Sequence, residues 1–514
     1  MNQKTTIVEI NKVANNVLQN LPDRNALILI IIVVAIFPLQ MAFNTASSPD
    51  GYVYAFGTDE LVQAATANSY KWNFQNPYGP DSENVFKNPV LGSVYLQTFF
   101  GFLAAITASS PLLIIHVFSI IFSLIFYIVL YKLFGVYIES KNKKLTCLIF
   151  FIIVSGGFGG ILYILLGNVL TTSQLIHLLN SGGLAGSMLV YQLISAVFGL
   201  AALYTTIKYK EKLTAEWKKT ALFLGISALI YPLYSLVFLA MIVIANLMKK
   251  DYKTTAASIT AEIIFLIPWI PALLSGGAYS QYLQKADYIN IFVYAELGFF
   301  LVVLSAYFLY YNVKHRKWGY ESTFLVIWLV IFVILTVMPP LPPIQPQRLL
   351  QLSWIPLSIA ATLGFFEIMR NRNFGNNAVR LSIAIIILVS LPTTILWYGN
   401  GFSQDIEQSY LTEDEMNTME YLAGQEEGRL LSSPEIGLRA PVLAEKRALM
   451  SGVETFDSAL EDYETFISES TLSLERKLIA DKYDIEYIIT DSDMETEGFS
   501  QIYTSGDVSV FKRD

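Results

Sequence analysis

The chain has 514 residues, of which 54% are hydrophobic and only 15% charged, with a formal net charge of −8 and a mean hydropathy of +0.48. Soluble domains run nearer to roughly a quarter charged, and here the apolar residues gather into runs of about 18–25, the length that crosses ~30 Å of hydrocarbon. A single soluble domain is excluded, and the fold class is a polytopic α-helical membrane protein.

The basic residues form short clusters between apolar runs, so nucleic-acid binding finds no support. Cys147 is the only cysteine, which excludes an intrachain disulfide, and His116, His177 and His315 lie too far apart in sequence to suggest a histidine metal site. The charge is also divided. Gly401 to Asp514 holds 26 of the 42 acidic residues and 9 of the 34 basic ones, giving −17, while the remainder is +9.

The first apolar run is Ala26–Phe43, behind Arg24. Two readings are open: a cleaved signal peptide ending near Asn44-Thr45-Ala46, and a retained signal anchor, which the length of the run and the spans behind it favour. The basic flank places the N-terminus in the cytoplasm and the next loop, Ser48–Pro89, outside.

The region Val90–Tyr131 either holds two spans broken at Ser109-Ser110-Pro111, or Val90–Ala108 lies along or dips into the interface and only Pro111–Leu133 crosses. The second reading puts Lys141, Lys143 and Lys144 inside and brings every later loop into agreement. The spans then continue as Leu145–Leu166, Met188–Thr206, Ala221–Tyr231, Tyr234–Leu247, Ala256–Leu274, Ile291–Tyr311, Thr323–Met338, Leu350–Ile368 and Leu381–Trp397, eleven in all. The pair flanking Pro232 also reads as one kinked span. On this topology 21 Lys+Arg face the cytoplasm, and the outer loops before the tail hold four: Lys71, Lys87, Lys285 and Arg348.

The predicted division is a transmembrane domain over 1–400 and a small soluble α/β domain, extracytoplasmic, over 401–514. In the tail, helical periodicity appears in Thr412–Ala423 and Leu472–Asp481. Strand-like runs are Arg429–Ser432, Tyr487–Thr490, Gln501–Tyr503 and Val508–Phe511, with Ser505-Gly506-Asp507 as a two-strand turn.

The loop Ser48–Pro89 is polar, aromatic-rich and carries Asp50, Asp59, Glu60, Asp81 and Glu83. A loop this long between spans is usually functional. Asp59-Glu60 lies close behind the first span, where a carboxylate can act as a base or hold a divalent cation. The competing reading is helix capping, with Thr58 as N-cap of an amphipathic LVQAATAN helix and the acids in its first turn. Asp50 reads as a turn residue, and Asp81 and Glu83 as solvated.

Arg348 follows the stiff PPLPPIQPQ segment and suits a phosphate or pyrophosphate headgroup; the competing reading is an interfacial anchor. SGGFGG (Ser155 to Gly160) lacks the residues of a nucleotide loop and reads as a helix break or close packing. Asn180-Ser181-Gly182-Gly183 reads as a flexible outer loop, and Asp491-Ser492-Asp493 as a turn in preference to a metal site.

Several stretches, in order, resemble the GT-C superfamily of integral-membrane glycosyltransferases. FGTDELVQAATAN, NPYGPD and KNPVLGSVYLQTFFG are similar to that family's acidic residue, short helix, Pro turn and Asn-Pro start of a membrane-dipping helix. GISALIYPLYSLVFLAMIVI is similar to its helix pair broken near a proline. ALMSGVETF, LIADKYDIEYIITDSD and FSQIYTSGDVSVFKRD are similar to the C-terminal module of many such proteins.

The resemblance implies an inverting glycosyltransferase of the cell membrane, taking a sugar from a polyprenyl-phosphate-linked donor to a glycan, lipid or protein acceptor outside the cytoplasm. The catalytic acid maps to Asp59 with Glu60 beside it, and the phosphate-gripping residue to Arg348. Asp50, Asn88 and Gln347 are further substrate-binding candidates, and Mg or Mn is the cation such a site would take. The partner acid that the family often carries has no clear counterpart here. The alternatives are a lipid or polysaccharide transporter, for which the intramembrane acids Glu262, Glu296 and Glu367 are sparse, and a non-catalytic scaffold.

Overall fold

The structure is a computed structural model, and it describes residues 21–48, 50, 52–54, 58–78, 94–156, 190–208, 213–270, 293–337, 346–402, 410–450, 457–468, 470–490 and 496–514. The elements before the bundle are α1 (Arg24–Ala46), β1 (Tyr52–Tyr54), α2 (Thr58–Asn68) and α3 (Val94–Thr107). There follow α4 (Pro111–Tyr137), α5 (Lys141–Ile152), α6 (Val190–Lys208), α7 (Leu213–Ile230), α8 (Pro232–Met248) and α9 (Tyr252–Leu266). The apolar part ends with α10 (Val293–His315), α11 (Tyr320–Val337), α12 (Pro346–Asn371) and α13 (Asn376–Phe402).

Helix is present in at least part of each of the eleven segments read as spans, because each is mostly apolar and in lipid a helix satisfies its own backbone groups. Among the described residues, five helices are long and apolar enough to cross a membrane: α1, α4, α6, Leu349–Asn371 of α12 and Asn376–Ile395 of α13.

Helix α3 has 14 residues, which is about 21 Å and short of the ~30 Å core. It ends at Ala108, whose φ is +50°, and α4 starts at Pro111 after Ser109-Ser110. The pair around Pro232 is two helices: Tyr231 is extended, with φ −150° and ψ 98°, and Pro232 opens α8, where its missing N–H costs nothing.

The contacts divide the chain into two compact units. The first is Met1–Pro38, Ser119–Ile267 and Gln281–Asn400. Its core is aromatic and aliphatic, and several of its buried polar groups pair between helices. The hydroxyls of Ser195 (α6) and Ser227 (α7) lie 2.8 Å apart, and Tyr234 donates to Gln351 Oε1 at 3.2 Å. Buried Glu262 on α9 accepts from Ser235 Oγ on α8 at 2.6 Å.

Helices α10 and α12 touch backbone to backbone at Gly364, where an added Cβ would stand 2.1 Å from Leu304 O. Gly364→Ala is therefore expected to destabilise the bundle by about 1–3 kcal/mol. The check is the Tm of the detergent-purified chain; an unchanged Tm would mean that the two helices separate freely.

The second unit is Leu39–Phe118, Pro268–Ser280 and Gly401–Asp514. The C-terminal part adds β2 (Tyr410–Thr412), α14 (Glu413–Ala423), β3 (Arg429–Leu431), α15 (Pro434–Leu443) and β4 (Arg447–Ala448). It continues with α16 (Asp457–Ile467), α17 (Ser473–Lys482), β5 (Ile485–Thr490), β6 (Phe499–Ser505) and β7 (Val508–Arg513).

The strands form a mixed five-stranded sheet in the order β4-β3-β5-β7-β6. Strand β3 runs parallel to β4 and β5, while β7 is antiparallel to β5 and β6. The four predicted strands and two predicted helices of the tail are all present. Thr412 caps α14 in a capping box with Glu415, and Gly506, with φ +51°, makes the β6–β7 turn.

One sheet face carries Leu430, Tyr487, Ile489 and Val510 under α14 and α15, and the other carries Leu431, Ile485 and Ile488 under α16 and α17. The predicted boundary at residue 400 assigns the outer loop to the membrane part. By contacts that loop groups with residues 401–514.

Candidate functional site

Helix α2 begins at Thr58, so Asp59 and Glu60 occupy its first turn, where helix N-terminal N–H groups favour negative charge. The side chains of Asp59, Glu60, Gln347 and Arg348 lie outside the described residues, as do Asn88, Asp81, Glu83, residues 180–183 and residues 491–493. Gln347 and Arg348 sit in the first turn of α12. Asp50 is in an exposed turn, as its Pro-Asp-Gly context predicts. Val154–Gly156 forms a short 3-10 turn behind α5, a helix break at the start of the glycine-rich segment. Among the described residues no group of three His, Cys, Asp or Glu side chains is arranged to hold a metal ion.

The surroundings of α2 differ from the expected amphipathic helix at a membrane surface. Leu61 and Gln63 to Ser69 are all buried, and only Val62 in that stretch is partly open. The cause is enclosure on two sides. Leu61 and Ala65, one turn apart, belong to the same hydrophobic core as Tyr78, Leu422, Leu438 and Tyr487. Asn68, nearly a turn further on, donates through Nδ2 to Pro441 O of α15 at 3.0 Å. On another side Ala67 receives α3 so closely that a Cβ on Gly101 would fall 2.0 Å from Ala67 O. The alanines of LVQAATAN are what permit both approaches.

Further contacts fasten the loop to the C-terminal part. Strands β1 and β2 pair antiparallel, Tyr52 with Thr412 and Tyr54 with Tyr410. Tyr410 Oη donates to Asn44 O at 3.3 Å. The Asn76-Pro77-Tyr78 turn is closed by the Tyr78 N–H on Asn76 Oδ1 at 3.1 Å. It presents Pro77 O to the Ala448 N–H at 3.0 Å, and Tyr78 bridges Ala448, so the loop covers the open edge of the sheet at β4.

Tyr78 is 1% exposed, and its hydroxyl donates to Leu438 O at 2.9 Å. Arg447 donates to Gln75 Oε1 and, through Nε, to Asn76 O at 3.2 Å. Burial, with Arg429 nearby, pushes Arg447 down to about 10, which leaves it charged at neutral pH. The Lys71–Glu445 pair, at 2.6 Å, is partly solvent-exposed and adds at most about 1 kcal/mol.

Sequence reasoning singled out the acids of this loop and missed Asn68, Tyr78 and Arg447. The NPYGPD turn was the one local signal available. The partners lie 360 or more residues along the chain, where no periodicity connects them.

No protein-family profile matches the chain, and no curated protein sequence matches it. Solved structures do. The arabinofuranosyltransferase AftD from Mycobacteria is 13% identical with a TM-score of 0.56, over 93% of this chain and 41% of that one. The oligosaccharyltransferase AglB from Archaeoglobus fulgidus, complexed with an inhibitory peptide and a dolichol-phosphate, is 14% identical with a TM-score of 0.47, over 91% of this chain and 69% of that one. The same archaeal enzyme complexed with Zn and sulfate is 15% identical with a TM-score of 0.47, over 90% and 67%. Both proteins are GT-C glycosyltransferases, and the likeness to AftD shows a GT-C-like fold here.

Proposed function

We propose that the chain is a membrane glycosyltransferase that moves a sugar from a polyprenyl-phosphate-linked donor to an extracytoplasmic acceptor. The observation that carries the reading is the seating of α2: a carboxylate-bearing first turn, placed just behind the first apolar helix, is locked into a GT-C-like fold by an enclosed helix. The arabinofuranosyl transfer that AftD carries out supports sugar transfer as the reaction class.

In this reading the eleven helical segments form the membrane part, and residues 401–514 lie outside the cytoplasm. Asp59 takes the proton from an acceptor hydroxyl or amide. The acceptor atom attacks the anomeric carbon from the face opposite the phosphate, so configuration inverts. The bond from the sugar to the phosphate oxygen breaks, and polyprenyl phosphate leaves with both electrons. Arg348 holds that phosphate, where a guanidinium matches a developing negative charge. Glu60 is the second acid beside the base, and Asp50, Asn88 and Gln347 are the further binding positions.

The test uses membranes carrying the full chain and polyprenyl phosphates loaded with labelled pentoses or hexoses. Labelled acceptor and free polyprenyl phosphate are the expected products. Arg348→Gln is expected to raise KM for the donor about 10–100-fold, the worth of a hydrogen bond to a charged group. No turnover with any loaded lipid would sink the assignment.

A further inference from the structure

Helix α3 has two unlike sides. Phe99, Phe102 and Ile106 are 49%, 47% and 80% exposed, an apolar face suited to lipid. The other side meets α2 at Gly101, and Gln97 and Thr98 lie one turn earlier on that stripe. Gln97 is 1% exposed, and among the described residues neither its Nε2 nor its Oε1 has a hydrogen-bond partner. Thr98 Oγ1 is likewise buried and has no partner among the described residues. On α2 the residue in contact is Ala67, with Ala64 one turn before it, and neither side chain can donate or accept.

An amide left in this state costs about 1–3 kcal/mol for each unmet group, and a leucine of similar size would avoid that cost. The polar side chain has a use that packing does not explain. Its two functions are complementary: Nε2 only donates and Oε1 only accepts. A phosphate would meet the donor alone. A pair of sugar hydroxyls, each able to donate and accept, meets both, and Thr98 extends the same surface by one hydroxyl.

We infer that Gln97, assisted by Thr98, is a binding position for the glycosyl head of a lipid-linked sugar, reached between the lipid-exposed face of α3 and the helix that carries Asp59. This rests on the reading of the chain as a glycosyltransferase with a lipid-linked donor, and it adds the group that grips the sugar.

The test compares two probes on the purified full chain in detergent: bare polyprenyl phosphate, and the same lipid carrying a pentose or a hexose. Gln97→Leu is expected to weaken the sugar-bearing lipid at least about 10-fold and leave the bare lipid unchanged, with a Tm at or above that of the wild type. Thr98→Val is expected to act in the same direction with a smaller loss. It carries the comparison by itself if Gln97→Leu does not fold. Unchanged binding of both lipids by the variants would overturn the sugar site and leave the glycosyltransferase reading standing. An equal loss for both lipids would overturn the assignment to the sugar. A wild-type chain that binds neither lipid would remove the donor reading and this site together.

Discussion

Asp59→Asn is expected to reduce sugar transfer by about 10²–10⁴-fold while binding of the lipid-linked donor persists, since an amide keeps the size and polarity of the group but cannot accept the acceptor's proton. Asp59 is in the first turn of α2, and that helix is buried from Gln63 to Asn68, so the substitution leaves the helix little freedom to bring another group to the same place. A capping role alone predicts something different: a loss of about 0.3–1 kcal/mol in stability with turnover intact, because asparagine in the first turn carries no charge for the helix dipole. Initial rates and Tm measured on the same preparations separate the two. Full activity in Asp59→Asn would end the case for this carboxylate as the base. It would also leave transport or scaffolding as the better description.

The second large effect concerns the seam between the outer loop and the C-terminal strands. Tyr78→Ala is expected to cost about 3–5 kcal/mol, because it empties a fully enclosed aromatic site and strips Leu438 O of its donor. Leu61 and Ala65 share the same core as Tyr78, so the loss loosens α2 itself. Turnover is expected to fall along with the thermal transition of the unit. Tyr78→Phe removes only the hydroxyl and is expected to cost about 1 kcal/mol, with most activity kept. Limited proteolysis of the full chain reads the seam directly, since new cleavage should appear in the outer loop of Tyr78→Ala. A Tyr78→Ala protein with wild-type Tm and turnover would show that the seam does not position α2.

Much of this architecture was legible because it follows from local periodicity. The helices sit where long apolar runs lie, since in lipid every backbone group must be satisfied within its own segment. The tail strands β3, β5, β6 and β7 alternate or carry β-branched runs, and Ser505-Gly506-Asp507 has the left-handed residue its turn needs. The short β1 and β2 escaped notice: each has three residues, and neither makes sense without the other. The loop charges served to orient the spans, not to find them.

The candidate site was legible only in its first half. Composition and order marked Asp59 and its helix, because carboxylates just behind an apolar run stand out against a chain with so few charges. What encloses that helix was decided by the tertiary structure. Alanine is neutral in any sequence pattern, and the burial of Ala65 on one side of α2 and the close approach of Gly101 to Ala67 on another appear only when distant segments meet. An amphipathic stripe predicts one buried face; a helix held between two bodies has two. Hydrophobic periodicity is a property of neighbours along the chain, whereas the partners of Asn68, Tyr78 and Gln75 come from residues 438–447.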